Sequence, residues 1–237
     1  MKKFQNITDK IAPSIIIAIL LMIWQILSMV NIIPKFMLPS PFEVVKAFVL
    51  DFPLLMEHTK ITLLEAFLGL GLGIIFGFAV AVIMDRFEYA YKMIYPVLII
   101  SQTIPTVAIA PLLVLWLGYG ILPKITLIVM TSFFPITIGL LDGFRSADKD
   151  MLNLLKTMGA TPFQNFVHVK LPGSLGYFFA GLRISVSYSI IGAVVAEWLG
   201  GFSGLGVYMT RVRKSYSFDK MFAVIFLISA ISLLLMY

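Results

Sequence analysis

The stretch that decides the fold lies between two apolar runs and reads Met151-Leu-Asn-Leu-Leu-Lys-Thr-Met-Gly159-Ala-Thr-Pro-Phe-Gln-Asn-Phe-Val-His-Val-Lys-Leu171-Pro172. In its first part, Leu152, Leu155 and Met158 recur at helical spacing and fall near one face. This spacing predicts an amphipathic helix from Met151 to Met158. Such a helix is too short and too polar to cross a bilayer, which requires about 20 mainly apolar residues.

The second part of the stretch combines a helix stop with a helix start. Gly159 can adopt the left-handed conformation that ends a helix. Thr161 followed by Pro162 is typical of an N-cap residue with proline at the first helical position. We expect Leu171-Pro172 to close this second helix. The stretch therefore predicts a short helix-turn-helix that lies against a soluble partner.

The remainder of the 237-residue chain has the composition of an integral membrane protein. Hydrophobic residues make up 60% of it and charged residues 13%, whereas soluble domains are about half apolar and about a quarter charged. The absence of cysteine excludes a disulfide scaffold, a Cys-ligated zinc site and a thiol nucleophile. The net charge of +6 is carried by short loops between apolar runs, which suits lipid headgroups rather than nucleic acid.

Six apolar runs are long enough to span a membrane, so the fold class is predicted as an all-α integral membrane protein with about six transmembrane helices. The first run is too long for the apolar part of a signal peptide, and we expect it to be retained. The runs are Ile11–Val30, Thr62–Met84, Ile94–Leu117, Ile121–Leu141, Phe178–Leu199 and Met221–Tyr237.

Three glycines in the second run, Gly69, Gly73 and Gly77, are each four residues apart. They share one helix face, where small residues allow a neighbouring helix to approach closely. Ordinary helix packing is the interpretation that this pattern favours.

Prolines and polar residues mark a candidate translocation pathway. Pro105 and Pro111 lie in the third run and Pro135 in the fourth, and each is expected to kink its helix. The carbonyls freed by a kink must face protein or a water-filled cavity, so pathway lining and a kink without function are both open. Gln102 lies on the same third helix. Glu197 is the one carboxylate deep in an apolar run, where a gate and a locally paired structural residue both remain open.

The chain lacks the residues that nucleotide, metal or acid–base chemistry needs. It contains no Gly-x4-Gly-Lys-[Ser/Thr] phosphate-binding loop. His58 and His168 fall in predicted loops without metal-ligand spacing. We therefore predict that the chain is not an enzyme and binds neither cofactor nor metal. A secondary transporter, the alternative transport class, would need ion-coupling groups and two similar halves, and the sequence shows one buried carboxylate and no repeat.

The opening stretch resembles the cytoplasmic signature of ABC-importer permeases, Glu-Ala-Ala-x3-Gly-x9-Ile-x-Leu-Pro. Gly159 and, nine residues further on, Val169-Lys170-Leu171-Pro172 match this pattern. Asn153-Leu154-Leu155 stands where Glu-Ala-Ala would be.

Further matches, which span residues 38 to 206, resemble the nitrate, sulfonate and taurine branch of these permeases. They are Leu38-Pro39-Ser40-Pro41, the block from Ile104 to Leu112 with Trp116-Leu117-Gly118-Tyr119-Gly120, Phe133-Phe134-Pro135, Gly181-Leu182-Arg183, Ala196-Glu197-Trp198 and Gly204-Leu205-Gly206.

The resemblance implies a type I ABC importer permease fold in a bacterial inner membrane. It implies separate cytoplasmic ATPase subunits that bind ATP and Mg²⁺, an external solute-binding protein, and a second permease chain, expected to be an identical copy. Basic residues are nearly balanced between the two sides, so the positive-inside rule barely decides orientation. The resemblance decides it, because the signature loop must face the ATPase, and this places the N-terminus in the cytoplasm.

The resemblance also implies roles for particular segments. Residues 1–61 would form an N-terminal transmembrane helix and external segment, and residues 62–237 the permease core with a coupling loop at 142–176. The implied ATPase-coupling residues are Asn153, Gly159, Ala160, Val169, Leu171 and Pro172, and the candidate pathway residues are Gln102, Pro105, Pro111 and Glu197.

The solute is the least determined part of the prediction. Residues 196–198 and 207–222 look most similar to permeases for thiamine pyrimidine precursors. Alkanesulfonate, taurine, nitrate and riboflavin-like compounds are the alternatives within the branch. Only Arg183 offers a cation within the helices, whereas phenylalanine and tryptophan would suit an aromatic solute.

Overall fold

The structure is a computed structural model that describes residues 2–30, 34 and 37–236, with side chains from residue 15 onward. All regular elements in this part of the chain are helical. They are α1 (Lys2–Met29), α2 (Pro41–Leu50), α3 (Phe52–Arg86), α4 (Glu88–Gln102), α5 (Thr106–Leu117), α6 (Leu122–Arg145), α7 (Lys149–Thr157), α8 (Pro162–Asn165), a π-helical turn (Phe166–Lys170), α9 (Leu171–Gly200), α10 (Leu205–Lys214) and α11 (Phe218–Met236).

By its internal contacts the chain divides into two units. The smaller comprises Met1–Glu57 with Tyr208–Leu227, and the larger comprises His58–Val207 with Ile228–Tyr237. The predicted boundary between residues 61 and 62 is a different division and stays a prediction.

The smaller unit is tied together by polar contacts around the start of α3. Trp24 Nε1 donates to the Pro39 carbonyl at 2.9 Å. Asp51 accepts from Tyr208 Oη at 2.5 Å and from Lys220 Nζ at 2.8 Å. Burial alone would raise the pKa of Asp51, but the hydrogen bonds from Lys220 and Tyr208 and the charge of Lys220 outweigh it and hold the pKa below its usual value.

In the larger unit α6 packs against both α3 and α9, and glycines make both contacts close. A Cβ on Gly77 would lie 3.0 Å from Ile136 Cγ2, which leaves no room for a larger residue without a shift. The predicted close approach along the glycine face of α3 is therefore confirmed. The facing pairs are Gly69 with Ile128, Gly73 with Ser132, and Gly77 with Ile136.

Helix α9 runs antiparallel to α6 and approaches it at backbone distance. A Cβ on Gly139 would lie 2.8 Å from the Tyr177 carbonyl oxygen, and one on Gly181 would lie 2.5 Å from the Pro135 carbonyl oxygen. Ser185 Oγ donates to the Ser132 carbonyl at 2.7 Å in the same interface. Small residues thus let the two helices share a buried seam.

The third apolar run is not one helix. We predicted a single span over Ile94–Leu117, but α4 and α5 are separated at residues 103–105 and bent by 101°. Pro105 caps the start of α5 and disfavours a helical conformation at the residue before it. Pro111 lies inside α5 without ending it. We expected one helix with kinks, and the correction is that this helix is interrupted at Pro105.

Four described helices meet the length and apolarity of a membrane span, and the bent pair adds a fifth if it is counted as one. They are Phe52–Arg86, Leu122–Arg145, Pro162–Gly200 and Phe218–Met236. The first predicted run corresponds to α1, whose described apolar part, Ile15–Met29, is shorter than these spans. The prediction of an all-α multi-span membrane protein is confirmed, and Tyr237 of the sixth run lies outside the described residues.

Three local predictions were wrong. His168 does not lie in a loop but in the π-helical turn, because the chain stays helical from Pro162 onward. His58 does not lie in a loop but inside α3, which begins ten residues earlier than expected because the segment before Thr62 continues the helix. Leu171-Pro172 does not close a helix, since α8, the π-helical turn and α9 run on from Pro162 to Gly200. Proline is tolerated in the first turn of a helix, and here the Leu171 N–H bonds the Phe166 carbonyl with π-helical spacing.

Candidate functional site

The segment between α6 and α9 begins with a capped amphipathic helix. Asp148 caps α7 by accepting from the Asp150 N–H at 2.8 Å. Helix α7 ends at Thr157, and Gly159 then adopts φ +83°, which confirms the predicted left-handed stop. The Ala160 N–H returns to the Leu155 carbonyl at 2.9 Å. Residues 148–160 therefore form a self-contained turn that depends on glycine at 159.

The second helix of the segment starts as predicted. Thr161 forms a capping box with Gln164: the Thr161 N–H donates to Gln164 Oε1 at 2.7 Å, and the Gln164 N–H donates to Thr161 Oγ1 at 3.3 Å. Pro162 occupies the first turn. Because α8 continues into α9, the turn at Gly159 joins α7 directly to a long helix of the larger unit.

Two contacts fasten this junction to neighbouring helices. Lys170 Nζ bonds both carboxylate oxygens of Asp85, at the end of α3, at 2.7 and 2.8 Å. The ring of Phe166 packs edge-on against Phe144 of α6, with centroids 5.1 Å apart. The junction is therefore held to α3 and α6 as well as being continuous with α9.

The surface of this segment exposes apolar side chains. Leu152 and Leu155, two of the three residues predicted to share a face, are half-buried, whereas Met158 is 74% exposed. The other large exposed apolar residues here are Met151, Leu154 and Phe163. A cavity of about 560 Å³ lies beside them and is lined in part by Asn153, Lys156 and Asp85. We call residues 148–172 the docking segment.

The docking segment contains all six predicted coupling residues. Asn153 and Gly159 are exposed, Ala160 is half-buried, and Val169 and Leu171 are half-buried beneath the turn. Pro172 is exposed at the start of α9.

Removing the Asp85–Lys170 pair should weaken the junction. Both side chains are largely buried, at 10% and 24% exposed, so Asp85→Asn leaves a lysine without its anion and should cost about 1–3 kcal/mol. The exposed Lys92–Glu88 pair is the matched control, since both of its side chains are about two-thirds exposed. Lys92→Gln should change stability by less than about 0.5 kcal/mol. Thermal unfolding of the purified proteins measures both, and equal effects would contradict this role.

A second cavity, of about 610 Å³, lies at the bend between α4 and α5 and is completed by α6 and α9. Gln102 and Pro105, two of the predicted pathway residues, line it. Pro111, inside α5, and Glu197, near the end of α9, are not among the residues that line this cavity. The other polar residues described in the lining are Ser101, Thr106, Thr131 and Tyr188, and none of the described lining residues is charged.

Glu197 is instead the centre of a buried hydrogen-bond network. Its side chain is 1% exposed and accepts from Thr62 Oγ1 at 2.7 Å and from the Gly206 N–H at 2.6 Å. Thr62 Oγ1 also accepts from the Leu205 N–H at 2.8 Å. His58 Nδ1 accepts from the Gly204 N–H at 2.9 Å. These bonds fix the start of α10 against α3 within the larger unit.

Two charged members of this region were missed by the sequence analysis. Glu65 in α3 and Lys124 at the start of α6 form a buried ion pair of 2.5 Å, with side chains 4% and 7% exposed. Glu197 is therefore not the one buried carboxylate, and that prediction was wrong. The available signal was Glu65 itself, a lone carboxylate within the run Thr62–Met84, where an acidic residue needs a partner.

The sequence profile of the binding-protein-dependent transport system inner membrane component family matches residues 69–237. The chain belongs to this family. Its members are membrane subunits of ABC transporters, so the predicted class is confirmed, and this permease is a multi-pass inner-membrane protein that acts with a solute-binding protein and an ATPase.

Individual relatives agree with the family. This permease is 41% identical to a probable ABC transporter permease protein of Haemophilus influenzae, over 95% of its own length and 92% of the relative's. It is 38% identical to the formylaminopyrimidine transport permease protein ThiX of Halalkalibacterium halodurans, over 94% and 89%. Aliphatic sulfonate, taurine and nitrate permeases are also among the relatives, which confirms the predicted branch.

A solved structure confirms the fold. A chain from an amino acid ABC transporter with histidines aligns with a TM-score of 0.64 at 15% identity, over 80% of this permease and 90% of that chain. At this identity the likeness concerns the fold alone, which is the type I importer permease fold that we expected.

Proposed function

We propose that this permease, paired with a second copy of itself, forms the passage of an importer for a thiamine pyrimidine precursor. The observation that carries the solute class is the cavity at the broken helix, whose described lining residues combine hydroxyl and amide groups with apolar side chains and carry no charge. A small uncharged heterocycle is recognised by apolar walls and a few hydrogen-bonding groups. The 38% identity to a formylaminopyrimidine permease supports the same class.

An anionic solute fits this lining poorly. Sulfonate or nitrate would leave water for a low-dielectric site, and such a charge needs a paired cation or several donors. Arg183, the one cation that the sequence analysis considered, is not part of the lining. Alkanesulfonate, taurine and nitrate therefore become the disfavoured alternatives, and a riboflavin-like compound remains the uncharged one.

Energy for import would come from separate ATPase subunits that bind ATP and Mg²⁺. The docking segment would receive their movement, because its exposed apolar residues Met151, Leu154, Met158 and Phe163 offer a contact surface for a soluble partner. Gly159 would hold the turn, and the Lys170–Asp85 bond would pass the movement to α3. We accordingly propose that the docking segment and the N-terminus lie in the cytoplasm.

Reconstitution tests the proposal. The permease, its ATPase and its binding protein are placed in liposomes, and ATP hydrolysis is measured with a hydroxymethyl- or formylamino-pyrimidine, riboflavin, taurine, an alkanesulfonate and nitrate. The pyrimidine should stimulate hydrolysis and the anions should not. Stimulation by an anion would contradict the solute class, and assembly without any ATPase would contradict the importer reading.

The cavity residue Gln102 gives a second prediction. Gln102→Leu removes an amide from the lining and should raise the solute concentration for half-maximal stimulation about tenfold, as expected for one lost hydrogen bond of about 1.4 kcal/mol. Gln25→Leu, in α1 and outside the cavity, is the matched control and should leave that concentration unchanged. Equal values for both variants would show that the cavity does not hold the solute.

A further inference from the structure

Two carboxyl groups and one ammonium group are buried together where α3, α6 and α9 meet. Glu65 is 3% exposed, Lys124 6% and Glu197 1%. Lys124 Nζ bonds Glu65 Oε1 at 2.5 Å. Thr62, which donates to Glu197 Oε1 at 2.7 Å, lies one helical turn before Glu65 on α3, so both carboxyls lie beside the same part of α3. The cluster lies inside the larger unit, and its three residues are not among those described as lining the bend cavity.

One carboxylate oxygen of this cluster, on Glu65, has no hydrogen-bond donor among the described residues. Both oxygens of Glu197 accept bonds, one from Thr62 and one from the Gly206 N–H. Glu65 Oε2 is buried and has no hydrogen-bond partner among the described residues. A buried acceptor without a donor loses its hydration without compensation, so its occurrence requires an explanation.

Charge is also unbalanced if both carboxyls are ionised. Lys124 neutralises one carboxylate, and the second would be an uncompensated charge in a low-dielectric interior. The nearby ring of His58 gives no second cation, because its Nδ1 accepts a hydrogen bond and therefore carries no proton. Four groups therefore face the two carboxyls. They are His58 and Thr62 of α3, Lys124 of α6 and the Gly206 N–H in the first turn of α10.

We propose that Glu65 and Glu197 form a buried proton-binding site that holds one shared proton. The proton supplies the donor that Glu65 Oε2 lacks and leaves the cluster with one anion against one cation. Two close carboxyls sharing a proton are the expected outcome when like charges cannot both ionise. This inference does not depend on the transported solute.

The proton would also fix the segment between α9 and α10. Gly204 adopts φ +118°, and a Cβ on Gly204 or Gly206 would overlap the Glu197 side chain. The backbone therefore packs directly on the carboxyl, and Glu197 ties that backbone to Thr62 of α3. Loss of the proton would place two anions at this contact and loosen it, which makes the site sensitive to alkaline pH.

Infrared difference spectroscopy of the assembled importer tests the site. A protonated carboxylic acid gives a C=O stretching band that ionised carboxylates lack, and the wild type should show it at neutral pH. The Glu197→Gln variant and the double variant Glu65→Gln/Glu197→Gln should lose the band. Asp142→Asn, which changes an exposed carboxylate, should keep it. A wild type without the band, or a band that survives in the double variant, would overturn the proposal.

Thermal unfolding provides a second readout, and its first measurement needs the wild type alone. The folded site holds a proton that unfolded glutamates have already released at neutral pH, so the folding constant of the wild type should fall up to tenfold per pH unit as pH rises, until the pair itself ionises. Glu65→Gln should flatten this dependence. A wild-type stability that rises or stays constant over the same range would contradict a shared proton.

Discussion

Replacing Gly159 by valine should abolish solute-stimulated ATP hydrolysis in the reconstituted importer while leaving the permease folded. Gly159 has φ +83°, a conformation that a β-branched residue adopts only at a cost of about 1–3 kcal/mol. No atom lies within 4 Å of a Cβ built there, so the cost is confined to the backbone. The turn is expected to change shape, and the exposed face of α7 would no longer meet the ATPase in the same orientation.

Gly173→Val is the matched control for this prediction. Gly173 also has nothing within 4 Å of a Cβ, but it lies in the first turn of α9 without a positive φ. The control should keep most of the stimulation, because the helix accepts valine with a small propensity cost, below about 1 kcal/mol. If both variants keep full stimulation, the left-handed turn at residue 159 is not needed for coupling.

Replacing Gly181 by leucine should prevent the larger unit from folding. A Cβ at this position would lie 2.5 Å from the Pro135 carbonyl oxygen and 3.1 Å from its carbonyl carbon, so the obstacle is backbone rather than a mobile side chain. Helices α6 and α9 would have to separate along the seam that buries Ile136 and Ser185. Overpacking costs about 1–3 kcal/mol of stability even where side chains can adjust. We expect a larger loss here, because the Pro135 backbone cannot move aside.

Gly176→Leu in the same helix is the matched control. It also replaces a glycine by leucine, but without the clash between helices α6 and α9. Gly176 has nothing within 4 Å of a Cβ and is exposed. We expect the Gly176 variant to be recovered from membranes as a monodisperse protein with near wild-type thermal stability, and the Gly181 variant to aggregate on extraction. Similar behaviour of the two would show that the α6–α9 seam tolerates separation.

Local patterns predicted the docking segment well. Gly159, Thr161 and Pro162 each act through their own backbone preferences, so the stop after α7 and the start of α8 follow from neighbouring residues alone. The glycine face of α3 was also predictable, because a spacing of four marks one side of a helix whatever packs there.

The broken helix was not predictable with the same certainty. The third run contains both Pro105 and Pro111, and the sequence does not say which of them interrupts the helix. The structure separates α4 from α5 at Pro105 and leaves Pro111 inside α5. The cavity that Gln102 lines is created by this break, so its lining could not be assigned beforehand.

Long-range polar pairing was equally hidden. Glu65 and Lys124 come from two helices whose contact is decided by the packing of α3 on α6. The role of Glu197 likewise depends on Thr62 and Gly206, which are far from each other along the chain. The sequence pointed to Glu197 as a carboxylate that is costly to bury, but its partners depend on how the helices pack.

The most direct test of the account is whether the docking segment touches the ATPase. The chain contains no cysteine, so a single Met158→Cys change introduces one reactive thiol without further engineering. Phe202→Cys is the matched control, because both native side chains are 74% exposed and α9, about 45 Å long at 1.5 Å per residue, lies between them. With a thiol cross-linker, we expect the ATPase to be captured by the cysteine at 158 and not by the one at 202. Capture at 202 alone, or at neither position in an importer that still hydrolyses ATP, would contradict it.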